Sequence, residues 1–295
     1  MLRPIEADCT LLIIGGELST SEYQQVAELV EVSAGVAVQV QSDQDTLDFL
    51  KFFPRLKRFG TMMPRLRTLD GLRLLRDDLE ELSLGSTIRQ IDLAAISPFK
   101  TLRKLYLEGH AKGIEVLAGL VALQDLTLRS ITLPDLGLLT GLDSLRSLDI
   151  KLGGTRDLTL LPDLRKLKYL ELWMIRGLDD LGPVARTSSL QYVHLQDLPQ
   201  VTGLPDLMGM VHLRRVWLEH LKSLRDVCAF ARAPALEELA LVSMTQLTPD
   251  RLRCLVGHRS LRYLVAGLGS RRKNDAAKAM FPGLADGQLD PFEFR

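Results

Sequence analysis

Leucines in the spacing L-x-x-L-x-L, or its close apolar variants, return along this chain at a nearly constant interval. The unit begins at Leu56, Leu79, Leu102, Leu123, Leu145, Leu167, Leu190, Leu213, Leu236 and Leu261, in steps of 21 to 25 residues. Inside a unit the pattern alternates. In residues 125–129, Leu126 and Leu128 face one side while Asp125, Thr127 and Arg129 face the other, which is the period of a strand. Between units the apolar period is about three, as in Leu133, Leu136, Leu139 and Leu142, or Leu158, Leu161 and Leu164. That spacing predicts short helical or 3₁₀ returns. One unit is too small to bury its own leucines, so neighbours must stack on both sides. Strands joined by returns of one sense lie parallel; ten of them, at about 4.8 Å each, give a sheet roughly 45 Å long.

On these residues the chain resembles the leucine-rich repeat proteins, in particular the internalin-like bacterial type with repeats of 21–23 residues, over roughly residues 56–268. The resemblance implies an α/β solenoid: an arc with a parallel concave β-sheet, short helical or 3₁₀ convex returns, and α/β caps at both ends. One feature of the family is missing. The asparagine usual at the turn after the strand is replaced by Thr87, His110, Ile131, Gly153, Ile175, Leu198, Leu221 and Met244, and the chain's only Asn is Asn274. No side-chain amide ladder can form there. Water, Ser/Thr groups or the turns' own backbone must satisfy the turn.

An open stack exposes apolar core and strand edges at each end, so both ends need caps. Residues 1–55 read as the N-terminal α/β cap. It has strands over 10–14 and 36–40 and a helix over 21–32, with Ser19, Thr20 and Ser21 as available caps. A further short helix over 46–53 stops before Pro54. Residues 56–268 are the repeats. Late in them, Thr248 reads as the N-cap of a helix with Pro249 at its first position. Residues 269–295 read as the C-terminal cap helix and tail: from Gly267 a last strand, a turn and a basic helix, then, over 283–295, a loose tail.

Composition narrows the function classes. Of 295 residues, 46% are hydrophobic and 25% charged, as in soluble globular proteins. Lys plus Arg and Asp plus Glu balance at 37 each, which gives no electrostatic reason to expect nucleic acid or a membrane as partner. The apolar run at 11–14 is too short for a signal core, and no stretch reaches the roughly 18–20 residues of a membrane span. Three cysteines, Cys9, Cys228 and Cys254, are odd in number and far apart. They do not read as a disulfide framework and point to a reducing compartment, the cytoplasm.

The concave face carries the one functional signal. Positions 3, 5 and 7 of each unit point there, about 30 slots in all, and six of the chain's seven Trp and Tyr residues fall in them. These are Tyr106, Tyr169, Trp173, Tyr192, Trp217 and Tyr263; only Tyr23 lies elsewhere. Aromatic residues favour strands in general, but the nine Phe mostly avoid the slots. Rings with a polar handle are what interfaces select. The predicted centre is Tyr169, Glu171 and Trp173 on one strand, Tyr192, His194 and Gln196 on the next, and Arg215, Trp217 and Glu219 after that. Asp149, Lys151, Glu238 and Tyr263 flank it, and Tyr106 is an outlier in the N-terminal half. Seven acids against five bases in the slots favour a partner with a basic patch.

Chemistry of the chain's own is not expected. Cys254 and His258, four apart, form at most half a metal site and read as an ordinary helix face. Asp149 and Glu171 share a column about 5 Å apart, but no pocket encloses them. No phosphate loop is present, and Arg271, Arg272 and Lys273 read as a solvated helix start. The expectation is a non-enzymatic module without cofactor or metal, a monomer when free, that grips one protein partner. The family resemblance implies, more narrowly, a bacterial immunity protein that covers a secreted toxin domain. A regulatory scaffold for a cellular enzyme such as a phosphatase, or the substrate arm of a ubiquitin ligase, are the alternatives. No three-helix adaptor motif in residues 1–55 supports the last.

Overall fold

The computed structural model describes residues 9–33, 35–285, 287 and 292–295. They form two compact units, Met1–Ile131 and Thr132–Arg295.

In the first unit, β1 (Leu11–Gly15) and β2 (Ala37–Gln41) are joined through α1 (Thr20–Val32) and pair in parallel. They are followed in the same parallel sheet by β3 (Arg58–Met62), β4 (Glu81–Leu84), β5 (Lys104–Glu108) and β6 (Asp125–Arg129). The two strands expected of the N-terminal cap therefore extend the repeat sheet itself. A reciprocal capping box starts α1: Glu22 N–H donates to Ser19 Oγ, and Ser19 N–H donates to the Glu22 carboxylate at 2.8 Å. Tyr23, the one Trp or Tyr outside the slots, is buried and stacks on Phe49 and Phe52, sealing the first coil.

The second unit repeats the scheme with β7 (Ser147–Lys151), β8 (Tyr169–Trp173), β9 (Tyr192–Gln196), β10 (Arg215–Glu219), β11 (Glu238–Val242) and β12 (Tyr263–Ala266), each parallel to its neighbour. Positions 4 and 6 supply the core. Leu148, Ile150, Leu170, Leu172, Val216, Leu218, Leu239 and Leu241 are all at most 1% exposed. The return leucines Leu133, Leu136, Leu139, Leu142, Leu158, Leu161 and Leu164 fill the other wall. Truncating any of these to Ala would cost about 2–5 kcal/mol.

A second repeat runs through the returns. Asp135, Asp157, Asp180, Asp206 and Asp226 each accept a hydrogen bond from the backbone N–H two residues on, at 2.6–3.1 Å. Each opens its return with an Asx turn, written in the sequence as Asp-Leu-x or Asp-Val-x. The turns after the strands solve the missing-asparagine problem with their own backbone. Leu152, Met174, Asp197 and His220 adopt left-handed φ of 50–57°. Their N–H groups donate to the carbonyls of Trp173, Gln196, Glu219 and Val242 on the next coil. The asparagine slot itself becomes an apolar column, with Ile175, Leu198, Leu221 and Met244 buried beneath the turns.

Four expectations need correction. Cys228 and Cys254 are joined in a disulfide, their Cα atoms 5.5 Å apart, leaving Cys9 as the free thiol. A separation of 26 residues is about one repeat, so both occupy matching places on consecutive returns. The helix expected after Thr248 is a 3₁₀ segment, Pro249–Leu255, and the Thr248 side chain makes no capping bond. The last strand ends at Ala266, before Gly267, and Ser270 caps α3 (Arg271–Ala279). Part of the tail at 283–295 lies outside the described residues, but residues 292–295 are docked on the sheet face rather than loose.

Candidate protein-binding face

Parallel register sets the outward residues of the second unit in three rows. The first runs Tyr169, Tyr192, Arg215, Glu238, Tyr263; the second Asp149, Glu171, His194, Trp217; the third Lys151, Trp173, Gln196, Glu219. All thirteen predicted residues from Asp149 to Tyr263 thus share one face of one sheet. Tyr106 lies on β5 of the first unit, where its hydroxyl donates to Glu108 at 3.0 Å. Burial, and then that carboxylate, push its pKa up to about 12.

Most of the rings are half-buried and have their polar atoms engaged. Glu171 anchors the face. It is only 8% exposed, yet it accepts from Lys151 Nζ at 2.8 Å and from the Tyr169 hydroxyl at 3.0 Å. Its other oxygen faces His194 Nδ1 at 3.7 Å, too long for a hydrogen bond. Burial, then the carboxylates of Glu171 and Asp149, hold the Tyr169 phenol well above its ordinary pKa. Burial holds His194 below the usual histidine value, although Glu171 pulls the other way. A neutral imidazole is the result, and its Nε2 is buried without a hydrogen-bond partner among the described residues.

The other rings are fixed in the same manner. Trp217 Nε1 donates to Glu219 at 3.1 Å, and its ring lies 5.7 Å from that of His194. Trp173 Nε1 donates to Asp197 at 3.3 Å. Tyr169 and Tyr192 meet edge to face at 4.9 Å. Arg215 pairs with Glu238 at 2.6 Å while its guanidinium lies over the Tyr192 ring. Tyr263, at the end of the first row, is exposed. Side chains whose rotamers are already locked lose little further entropy on contact, so this face is rigid as it stands.

Two sets of contributors escape the three-position rule. Asp197 and His220 sit at the left-handed turn position just past the strand and pair with each other, and Asp197 also holds both Trp173 and Gln196. Their signal is an Asp or His where a glycine would be easiest. The other is the 292–295 segment. The Phe292 ring lies 5.4 Å from Tyr192 and 5.0 Å from the Arg215 guanidinium.

Cys254 and His258 are engaged elsewhere and do not form a paired site. Cys254 is committed to Cys228, while His258 contacts the Ala233 carbonyl through Nε2 and the Ser260 and Leu261 amides through Nδ1. Among the described residues no three His, Cys, Asp or Glu side chains gather as a metal site. Nor is any helix among them long and apolar enough to cross a membrane.

No family model matches the sequence. Among solved structures, the chain is similar to the Toll–Spatzle complex of Drosophila, at 16% identity and a TM-score of 0.59, over 88% of this chain and 43% of that one. It thus spans less than half of that chain's length. It is also similar to an internalin (inlF) of Listeria monocytogenes, at 18% identity over 96% of this chain and 88% of that one, with a TM-score of 0.48. A leucine-rich-repeat protein of Leptospira interrogans aligns at 14% identity over 97% and 93% of the two chains, with a TM-score of 0.43. At these identities the likeness is one of fold, and the Toll alignment carries it.

Proposed function

We propose, for a chain whose fold is that of the leucine-rich-repeat proteins, that the open sheet face of residues 132–295 grips one protein partner without chemistry of its own. The observation that carries the reading is the concentration of five of the chain's seven Trp and Tyr on that face, at Tyr169, Trp173, Tyr192, Trp217 and Tyr263. Each of the first four is locked by a hydrogen bond or ring contact before any partner arrives. Rings held in this way are the side chains that dominate binding hot spots. The same fold occurs in the Toll–Spatzle complex.

The partner chemistry follows from the rows. Asp197 and Glu219 lie beside the two indoles, so a partner placing Lys or Arg there gains both charge complementarity and a ring to cover. Within this class the reading is a bacterial immunity protein that covers a secreted toxin domain, built as cap (1–55), repeats (56–268) and cap (269–295). The cytoplasmic placement drew on the short apolar run at 11–14 and the lack of a membrane-spanning stretch, and also on unpaired cysteines. With Cys228 bonded to Cys254 that last support is gone, and an oxidising compartment is where such a bond persists. The test is a pull-down from the source organism with wild type and a Trp173→Ala/Trp217→Ala double variant, read beside the genes that neighbour this one. A single protein lost with the double variant, encoded next to this gene as a secreted toxin, supports the reading. Identical captures with both baits overturn it.

A further inference from the structure

The 292–295 segment lies across the starts of β8 to β11, against the column formed by position 2 of successive units: Lys168, Gln191, Arg214 and Glu237. Its bonds are of a particular kind. Arg214 donates to the Glu293 carbonyl at 3.0 Å. Lys168 Nζ and Gln191 Nε2 both donate to the main-chain oxygen of Arg295 at 2.7 Å, and the Arg295 N–H donates to Gln191 Oε1 at 2.9 Å. These contacts all read backbone, so a different extended peptide could make them equally well.

Two side-chain features add direction. The Phe292 ring is flanked by Tyr192 and by the guanidinium groups of Arg214 and Arg215 at 5.1 and 5.0 Å. Three positions on, Arg295 pairs with Glu237 at 3.4 Å. The hold is shallow: Phe294 is 45% exposed and the Arg295 side chain 71% exposed. A segment held by one half-buried ring and a few backbone bonds, tethered at an effective concentration on the order of millimolar, is displaceable.

We propose that this column is a subsite for an extended segment of a protein partner carrying an aromatic residue and, three positions later, a basic one, and that the chain's own 292–295 segment fills it in cis as a stand-in. The inference rests on the reading of this face as a protein-binding surface, and it adds which part of a partner docks there. Gln191 serves as the edge that a strand would otherwise offer, its amide both donating to and accepting from one residue of the segment. Tyr192 and Arg215 belong both to this subsite and to the first row of the face, so a partner covering the rings would reach the column and dislodge the segment.

The test needs no knowledge of the partner. A fluorescent, end-capped peptide of sequence Phe-Glu-Phe-Arg is titrated by polarisation into the full chain, into a Phe292→Ala/Phe294→Ala variant, and into that variant with Arg214→Ala added. The open variant should bind the peptide at least tenfold tighter than wild type, because the tethered competitor is gone, and Arg214→Ala should abolish the gain. Melting curves of the three proteins show that each remains folded. Equal binding to wild type and open variant, or an open variant that melts early and takes no peptide, overturns the proposal and makes the segment a fixed cap. This result is separate from the pull-down through Trp173 and Trp217, since either experiment can fail while the other succeeds.

Discussion

Replacing Glu171 by Gln keeps the shape of the side chain and removes its charge, and the structure sets how much that should cost. Lys151 points its ammonium at this carboxylate, and the two side chains are 21% and 11% exposed. Neither is solvated well enough to exchange the partner for water at no cost, and hydrogen bonds to charged groups contribute about 1.5–3 kcal/mol. Gln still accepts from the Tyr169 hydroxyl, so that bond survives in weakened form. A loss of about 2 kcal/mol in unfolding free energy is expected, below the 3–5 kcal/mol seen when a fully buried pair is broken. Because the cost is mostly a stranded ammonium, Lys151→Met should restore much of it. A double-mutant cycle from urea denaturation should give a coupling of about 1–3 kcal/mol. A Glu171→Gln variant within ~0.5 kcal/mol of wild type, or a coupling near zero, would refute the claim that this carboxylate organises the face.

Three further outcomes follow from the same structure. Reducing the Cys228–Cys254 bond, or replacing both by Ser, opens a 26-residue loop and should lower stability by about 3.5 kcal/mol on the loop-closure estimate; an unchanged denaturation midpoint would speak against the bond. Met174 holds a left-handed φ of 52° with its side chain half in solvent, so Met174→Gly should stabilise the chain by about 1 kcal/mol, and destabilisation would contradict the account of the turn column. His194 titrates below the ordinary value when folded, so the unfolded chain takes up a proton that the folded one refuses. Stability should therefore be intact above pH ~6.5 and fall as pH drops below it, and His194→Gln should flatten that slope; an unaltered pH profile would show that His194 is not the group responsible.

The leucine spacing made the strands, their parallel order and the core directly legible, because burial at positions 4 and 6 demands apolar side chains at fixed intervals. The outward set, Tyr169 through Tyr263, was legible for the same geometric reason. The locks on those rings were not: which carboxylate holds which ring depends on register between strands, and Asp197 and His220 lie one step beyond the strand. Left-handed turns at Leu152 and Met174 leave no mark in residue type, since the backbone bond to the next coil tolerates a side chain that the conformation alone disfavours. The disulfide was in reach, because 26 residues is nearly one repeat and puts both cysteines on consecutive returns; an odd count of three obscured it. Residues 292–295 are too few to show a period, and their hydrogen bonds fall in position 2 of the repeat, beside the outward slots, with only the Phe292 ring reaching Tyr192 and Arg215 in the slots themselves.

Both tryptophans of the chain, Trp173 and Trp217, lie on the proposed binding face, so a label on tryptophan reports on that face alone. Fluorotryptophan-labelled protein gives two ¹⁹F resonances, and an unlabelled partner adds none. Saturating partner should shift or broaden both. Two resonances left where they were, with the complex fully formed, would mean that the partner is held elsewhere and that the aromatic rows are not the docking surface.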